Sequence, residues 1–305
     1  MTDPRPTTQS NYQERLLRVL VHIQQHLDDS LPLESLAAIA HFSPFHFHRI
    51  FRGMVGEAVK QYIRRLRLER AAMRLCHTEQ SVTRVALDAG YEAHEAFTRA
   101  FKSAFKTSPS DFREQGRARF QINAPSSAHY QADDKLDTFE PITREDESMK
   151  VEIKTIDPVR VAFVRHTGPY DEVGETWGRL CAWAGPRGLL GPDMRMFGAS
   201  HDDPEVTPPE KIRYDACLAV DEDFEGEGEI GIQILAGGDY AVTLHAGPYQ
   251  KLGDTYAALF GQWFAPTTHE PGDSPCLEFY LNDPENTPPE DLLTEICVPI
   301  AGTRP

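Results

Sequence analysis

The sequence predicts a multi-domain protein: an all-α half built from two helix-turn-helix units, then an α+β half made of two strand–helix–strand–strand repeats. Three observations carry that prediction. The pentapeptide "FHRIF" at 47–51 returns as "FTRAF" at 97–101, an offset of fifty residues. A longer stretch, "VAFVRHTGPYDEVGETWGRLCAWA" at 161–184, returns as "YAVTLHAGPYQKLGDTYAALFGQWF" at 240–264. The charge is also divided: residues 1–120 carry 18 Lys and Arg against 13 Asp and Glu, residues 121–305 carry 13 against 34, and the whole chain stands at −16. Repetition marks units that bury a face by packing on a copy. An opposite charge balance says that the halves meet different partners.

At 305 residues the chain has length for two or three domains and enough apolar residue to fold without staples. Its five cysteines, Cys76, Cys181, Cys217, Cys276 and Cys297, are widely spaced and form no C-x-x-C pair, so they read as core thiols rather than zinc or redox ligands. No apolar run is long enough to span a bilayer, and the N-terminus lacks a signal peptide's apolar stretch, so the expected location is cytoplasmic, with no membrane partner.

The helical half begins with Leu16, Leu17, Leu20, Val21, Ile23 and Leu27, one apolar face of a helix over Tyr12 to Asp28. "LESLAAIA" (33–40) is a short second helix, and Ser43-Pro44 supplies a cap and first-turn proline for a third, "PFHFHRIFRGMV". A long helix over 57–77 follows, with Arg64, Arg65, Arg67, Arg70 and Arg74, a run whose default meaning is a solvated face. The pattern then recurs over 81–105, with Gly90-Tyr91-Glu92 at the turn, and Phe112 answers Tyr62. Two such units can set their second helices into major-groove faces about 34 Å apart, so one subunit suffices and a monomer or weak dimer is expected. Side chains on the first two turns of those helices read base edges. They are His46, His48 and Arg49 in the first and His94, Thr98 and Arg99 in the second. His41, His46 and His48 do not share a helix face as metal ligands would, and no metal or cofactor is expected.

Residues 12–115 resemble the DNA-binding domain of the AraC/XylS transcriptional regulators in both helix-turn-helix units, the connecting helix and the closing "FKTSPSDFRE". The resemblance implies promoter DNA as partner, RNA polymerase as a candidate partner, and Phe45 and Glu95 as additional reading residues. Glu95 stands where that family commonly has an amide. The domain is bounded at 8–116, and the polar, Pro- and Ser-containing segment 117–148 reads as a linker.

In the acidic half, 149–305, each repeat opens as an alternating strand, turns at His-x-Gly-Pro-Tyr and continues as a helix. His166 and His245 are expected to order that turn. "DDPEVTPPEKIRYDACLAV" and "NDPENTPPEDLLTEICVPI" are matching loop-and-strand pairs. Two copies with pseudo-twofold symmetry place both helices on one face of a sheet and leave a groove at the axis. On the last strand Glu295 alternates away from Ile296, Val298 and Ile300, and its counterpart is Asp215. A carboxylate among Tyr170, Trp177, Tyr249, Tyr256, Phe279 and Tyr280 suits a flat, cationic small molecule. An edge-strand carboxylate beside an ordinary aromatic core gives the same pattern.

Residues 149–302 resemble the GyrI-like effector-binding domain family, through "HTGPY", "HAGPY" and "EICVPI". This implies a central pocket for hydrophobic, often cationic effectors, including multidrug ligands, with a glutamate at the position of Glu295. The expected function is a transcription regulator gated by a small molecule, without catalysis. Two alternatives stand beside it: hydrolysis of reactive natural products by Glu295 with Tyr249, and binding of a protein partner through the acidic surface.

Overall fold

The computed structural model describes residues 8–116, 119–132, 136–142, 149–191 and 194–302. The chain divides into two compact units, residues 1–144 and 145–305.

The first unit is helical: α1 (Thr8–Gln25), α2 (Leu33–Ala40), α3 (Pro44–Val55), α4 (Val59–His77), α5 (Val82–Asp88), α6 (His94–Phe105) and α7 (Pro109–Gln115). Ser43, Ser81 and Ser108 cap α3, α5 and α7 by accepting the amide three residues on, which satisfies a donor that has no partner inside the helix. In the turn of the second helix-turn-helix, Gly90 takes φ +79°, and a Cβ there would come within 3.0 Å of the Arg67 guanidinium. Phe97, Phe101 and Phe112, with Leu75 and Val85, form the buried core of that half.

Of the five α4 arginines only Arg64 is exposed; the others are not a solvated face. Arg67 donates to the carbonyls of Leu27 and Asp29, Arg70 to Asp28 and the Asp88 carbonyl, and Arg74 to the Asp88 carboxylate. Their guanidiniums tie α4 to the end of α1 on one side and to α5 on the other, which fixes the spacing of the two helix-turn-helix units.

The expected linker is also largely absorbed into this unit. Ala128, Leu136 and Phe139 are buried. The Ile142 amide donates to the Met54 carbonyl at the end of α3, and the Gln13 side chain donates to the Phe139 carbonyl. Gln24 brackets the segment, donating to the His129 carbonyl and accepting the Gln131 amide. The anchor is Glu69, 1% exposed, which accepts from Arg65 Nη1 at 3.0 Å and from the Ile122 and Tyr130 amides at 2.9 Å, with His129 Nδ1 also at 2.9 Å. A polar composition made the segment look free. What holds it is the backbone, whose amides find acceptors on α1 and α4.

The second unit is one antiparallel sheet in the order β1-β6-β8-β7-β3-β4-β2-β5. Its strands are β1 (Val151–Ile156), β2 (Val159–Thr167), β3 (Met196–Ser200), β4 (Arg213–Ala219), β5 (Gly231–Leu235), β6 (Gly238–Ala246), β7 (Cys276–Tyr280) and β8 (Leu293–Pro299). Helices α8 (Gly174–Ala184) and α9 (Leu252–Ala258) follow β2 and β6, and α9 runs on into a π-helical stretch over Leu259–Phe264. Each repeat therefore has one strand more than the sequence pattern indicates. The extra strand is exchanged: β1 precedes β2 but pairs with β6, and β5 precedes β6 but pairs with β2. Copies that trade edge strands in this way do not close separately.

The two faces of the sheet differ. Ala162, Val164, Tyr214, Ala216 and Leu218 pack beneath α8 with Leu180 and Ala184. The opposite face carries Val161, Phe197, Ala199, Cys217, Leu277 and Cys297.

Candidate functional site

The pseudo-twofold axis can be located from register. In sequence the repeats match at an offset of eighty here, so Gly198 corresponds to Glu278, Ser200 to Tyr280 and Tyr214 to Thr294. In the structure β3 and β7 are the central pair, and Gly198 lies directly opposite Glu278. The axis therefore passes between these two residues. One copy places a carboxylate there and the other places nothing.

Glu278 projects on the helix face and is 6% exposed. It accepts from Ser200 Oγ at 2.8 Å, from Tyr256 Oη at 2.8 Å and from Tyr280 Oη at 3.0 Å. Because the Tyr280 proton is directed at Glu278, the Tyr214 hydroxyl donates to Tyr280 at 2.7 Å, which extends the chain by one link. No basic side chain among the described residues forms an ion pair with Glu278. Burial, reinforced by the Glu278 carboxylate, holds the Tyr280 and Tyr214 phenols well above the usual tyrosine range; the hydrogen bond between them adds to the rise at Tyr280 and opposes it at Tyr214. They remain neutral donors.

Rings close around this carboxylate from both repeats. Trp177 of α8 meets Tyr280 at 5.9 Å and Tyr214 at 6.3 Å, both edge to face. Tyr249, after the second His-x-Gly-Pro-Tyr turn, meets Tyr280 at 5.4 Å, and Tyr170, after the first, meets Tyr214 at 5.9 Å. The histidines order those turns as expected: His166 Nε2 lies 2.9 Å from the Pro169 carbonyl and His245 Nε2 lies 3.3 Å from that of Pro248. Their other ring nitrogens meet Thr176 of α8 and Thr255 of α9, which sets each helix over its strand.

Of the seven effector-site residues expected from sequence, the structure brings together Tyr170, Trp177, Tyr249, Tyr256 and Tyr280. It places Glu295 and Phe279 elsewhere, on the opposite face of the sheet. There Phe279 packs on Phe197 with ring centroids 4.8 Å apart, and Glu295 pairs with Lys154 of β1 at 2.5 Å. The physical reason is the period of a strand. Phe279 and Tyr280 are neighbours and must point apart, and Glu295 shares a face with Phe279, its register partner. Glu278 and Tyr214, which join these rings, were not among the residues expected from sequence. A signal for Glu278 was present, a carboxylate inside the apolar strand "CLEFYL" whose counterpart in "RMFGAS" is glycine.

Asp215, the counterpart of Glu295, is a structural ion. It is wholly buried, receives both nitrogens of the Arg165 fork at 2.7 and 2.8 Å, and contacts His201 at 2.9 Å and Gln233 at 3.1 Å. Burial pushes its carboxyl pKa up, but the hydrogen bonds from Arg165, His201 and Gln233 outweigh burial and hold it well below the usual range.

The two helices expected to read DNA are presented differently. On α6, His94, Glu95 and Arg99 are exposed, while Thr98 is half-buried with an Oγ1 that lacks a hydrogen-bond partner. On α3, His46, His48 and Arg49 are buried, and Arg49 lies over the half-buried Phe45 ring at 4.2 Å. Among the described residues no helix is long and apolar enough to cross a membrane, and no cluster of His, Cys, Asp or Glu could hold a metal ion.

A family model described as a GyrI-like small molecule binding domain matches residues 149–301, and one described as a helix-turn-helix domain matches residues 36–115. The uncharacterized HTH-type transcriptional regulator YbfP of Bacillus subtilis is 37% identical over 102 residues, which are 33% of this chain and 35% of that protein. The regulatory protein SoxS of Escherichia coli is 30% identical over 105 residues, which are 34% of this chain and 98% of SoxS. The crystal structure of the EcmrR C-terminal domain matches with a TM-score of 0.41 and 21% identity, over 50% of this chain and 98% of that domain. The chain spans little more than a third of YbfP and of the transcriptional regulator Rob of Salmonella typhimurium. Half of the chain is accounted for by the first model and most of the helical unit by the second: the chain belongs to the GyrI-like small-molecule-binding family and carries an AraC-type helix-turn-helix domain.

Proposed function

We propose that this chain is a DNA-binding transcription regulator whose GyrI-like unit binds an aromatic cation at Glu278. One observation carries the reading of the ligand: a buried carboxylate held by three hydroxyls, with no cation of its own, inside a ring of tyrosines and a tryptophan. Taking such a charge out of water costs several kcal/mol unless it is compensated, and hydroxyls compensate less than a guanidinium does. A ligand cation supplies the missing charge, and the aromatic faces add cation–π attraction. The helical unit supports the DNA half of the reading through the exposed His94 and Arg99 of α6 and the spacing that the α4 arginines enforce. Ligand and DNA are then linked by a coupling free energy of about 1–3 kcal/mol, set by how differently the effector binds the two states of the protein.

The test is titration of the full chain with tetraphenylphosphonium and ethidium, followed by tryptophan fluorescence and checked for chemical products. Saturable quenching that weakens about tenfold or more in Glu278→Gln is the expected result. Unaltered affinity in that variant overturns the assignment, and product formation turns the same residues into an active site. For DNA, Arg99→Ala is expected to cost about 1–3 kcal/mol of specific affinity, the worth of a good base contact, and Arg49→Ala less, because Arg49 is buried against Phe45. Full affinity in Arg99→Ala removes α6 from the reading.

A further inference from the structure

The axis of the GyrI-like unit is unequal in a second way. Tyr214 projects from β4 on the helix face, and its ring leans over β3 onto the backbone of Gly198. A Cβ at Gly198 would lie 2.3 Å from the Tyr214 hydroxyl and 2.6 Å from two ring carbons. The ring therefore occupies the volume that the absent side chain leaves. It is 1% exposed, with its hydroxyl tied to Tyr280 and with Tyr170 and Trp177 packed against it in T-shaped contacts. Its counterpart in the other repeat is Thr294, fully buried, with a hydroxyl that lacks any hydrogen-bond partner. One side of Glu278 is thus walled by an aromatic ring, whereas on the other side β8 presents two non-aromatic side chains, Ile296 directly opposite Glu278 and Thr294 opposite Tyr280.

We infer that Tyr214 determines the specificity of this site. It closes the first repeat's half of the axis, so that the site takes one flat aromatic cation per chain, on the second repeat's side of Glu278. This rests on the cation-binding role proposed for Glu278. A planar cation needs depth on only one side of the carboxylate. A tetrahedral cation needs depth on both sides of the carboxylate, and the wall removes that depth on one side. Protein interiors are close-packed, so a ring held in this way does not yield to a substituent without a general shift.

The experiment compares the dissociation constants of ethidium, a planar cation, and tetraphenylphosphonium, a tetrahedral one, by calorimetry on the full chain. The variants are wild type, Tyr214→Ala, Tyr214→Leu and Tyr214→Phe, with circular dichroism to establish folding. The wild type is expected to favour ethidium with one site per chain. Tyr214→Ala is expected to move the ratio toward tetraphenylphosphonium by about tenfold or more, the range over which pocket shape discriminates. Tyr214→Leu, which keeps part of the volume, is expected to move it less in the same direction. Tyr214→Phe keeps the wall and loses only the hydroxyl, so its ratio is expected to stay at the wild-type value. A ratio unchanged in folded Tyr214→Ala or Tyr214→Leu overturns the wall while leaving Glu278 as the cation's partner. Loss of selectivity in Tyr214→Phe assigns the effect to the hydrogen bond and overturns the steric argument. Failure of both cations to bind any variant overturns the cation site and the wall together.

Discussion

Two buried glutamates, one in each unit, are surrounded by acceptable hydrogen-bond partners and yet hold them for different ends. Glu69 on α4 is 1% exposed and faces donors that cannot turn: two backbone amides and the Arg65 guanidinium. Glu278 on β7 is 6% exposed and faces only hydroxyls, those of Ser200, Tyr256 and Tyr280. Fixed donors with a cation among them make a carboxylate part of the fold. Rotatable donors without a cation leave its charge available to something else.

The largest effect that can break this comparison is the loss of the fixed set. Glu69→Ala leaves Arg65 with Glu57 as its one carboxylate partner and strands the Ile122 and Tyr130 amides, and removing one member of a buried ion pair typically costs about 3–5 kcal/mol. Even Glu69→Gln is expected to be clearly destabilising, because the new amide points donors at donors that cannot reverse. Chemical denaturation of the full chain, read with a probe in the helical unit, measures both. A change below 1 kcal/mol in Glu69→Ala means that the 119–142 segment is held by its apolar side chains and that the glutamate is incidental.

Glu278→Gln is expected to behave in the opposite way, within about 1 kcal/mol of wild type, since Tyr280 can turn its proton to Tyr214 and accept from the new amide. Cation binding falls while stability holds. A loss as large as that of Glu69→Ala would make Glu278 a second structural anchor.

Asp215 sharpens the same comparison through pH. Its folded pKa is lowered, so its ion pair contributes stability that is complete above the unfolded carboxyl value, about pH 4, and is lost as pH falls through the lower folded value. Acid unfolding of wild type should therefore steepen below about pH 4, and Asp215→Asn should flatten that limb while lowering the plateau at neutral pH. An acid limb of equal slope in the two proteins would show that other carboxylates carry it.

How much of this was legible beforehand follows from the range of each cause. The helices of the first unit were, because caps, turns and apolar spacing are local: α2 and α3 lie over 33–40 and 44–55 as the pattern requires, and α4 begins two residues later than its charge pattern suggested. The strands β1 and β5 were not, since their alternation is weak, with β1 mostly exposed and Ile234 of β5 68% exposed, and their partners lie in the other repeat. The anchoring of 119–142 escaped because backbone amides have no sequence signature. At the site, the rings that follow the two turns were found through the repeat itself. Which carboxylate joins them was decided by which face of the sheet the helices cover, and alternation gives two faces without saying which one that is.

The smallest expected effect concerns the carboxylate that sequence favoured. Glu295 is paired with Lys154, which is 44% exposed, and the Glu295 hydrogen bond raises the Lys154 pKa. Pairs this exposed are screened by water and salt and contribute about 0–1 kcal/mol. Lys154→Met and Glu295→Gln should each change stability by less than about 1 kcal/mol, with an interaction energy in the double variant that shrinks further in high salt. Neither should alter the affinity for an aromatic cation, because the sheet separates this pair from Glu278. If Glu295→Gln weakens cation binding and Glu278→Gln does not, the ligand occupies the other face, and the absence of an internal cation ceases to distinguish a binding carboxylate from a structural one in this protein.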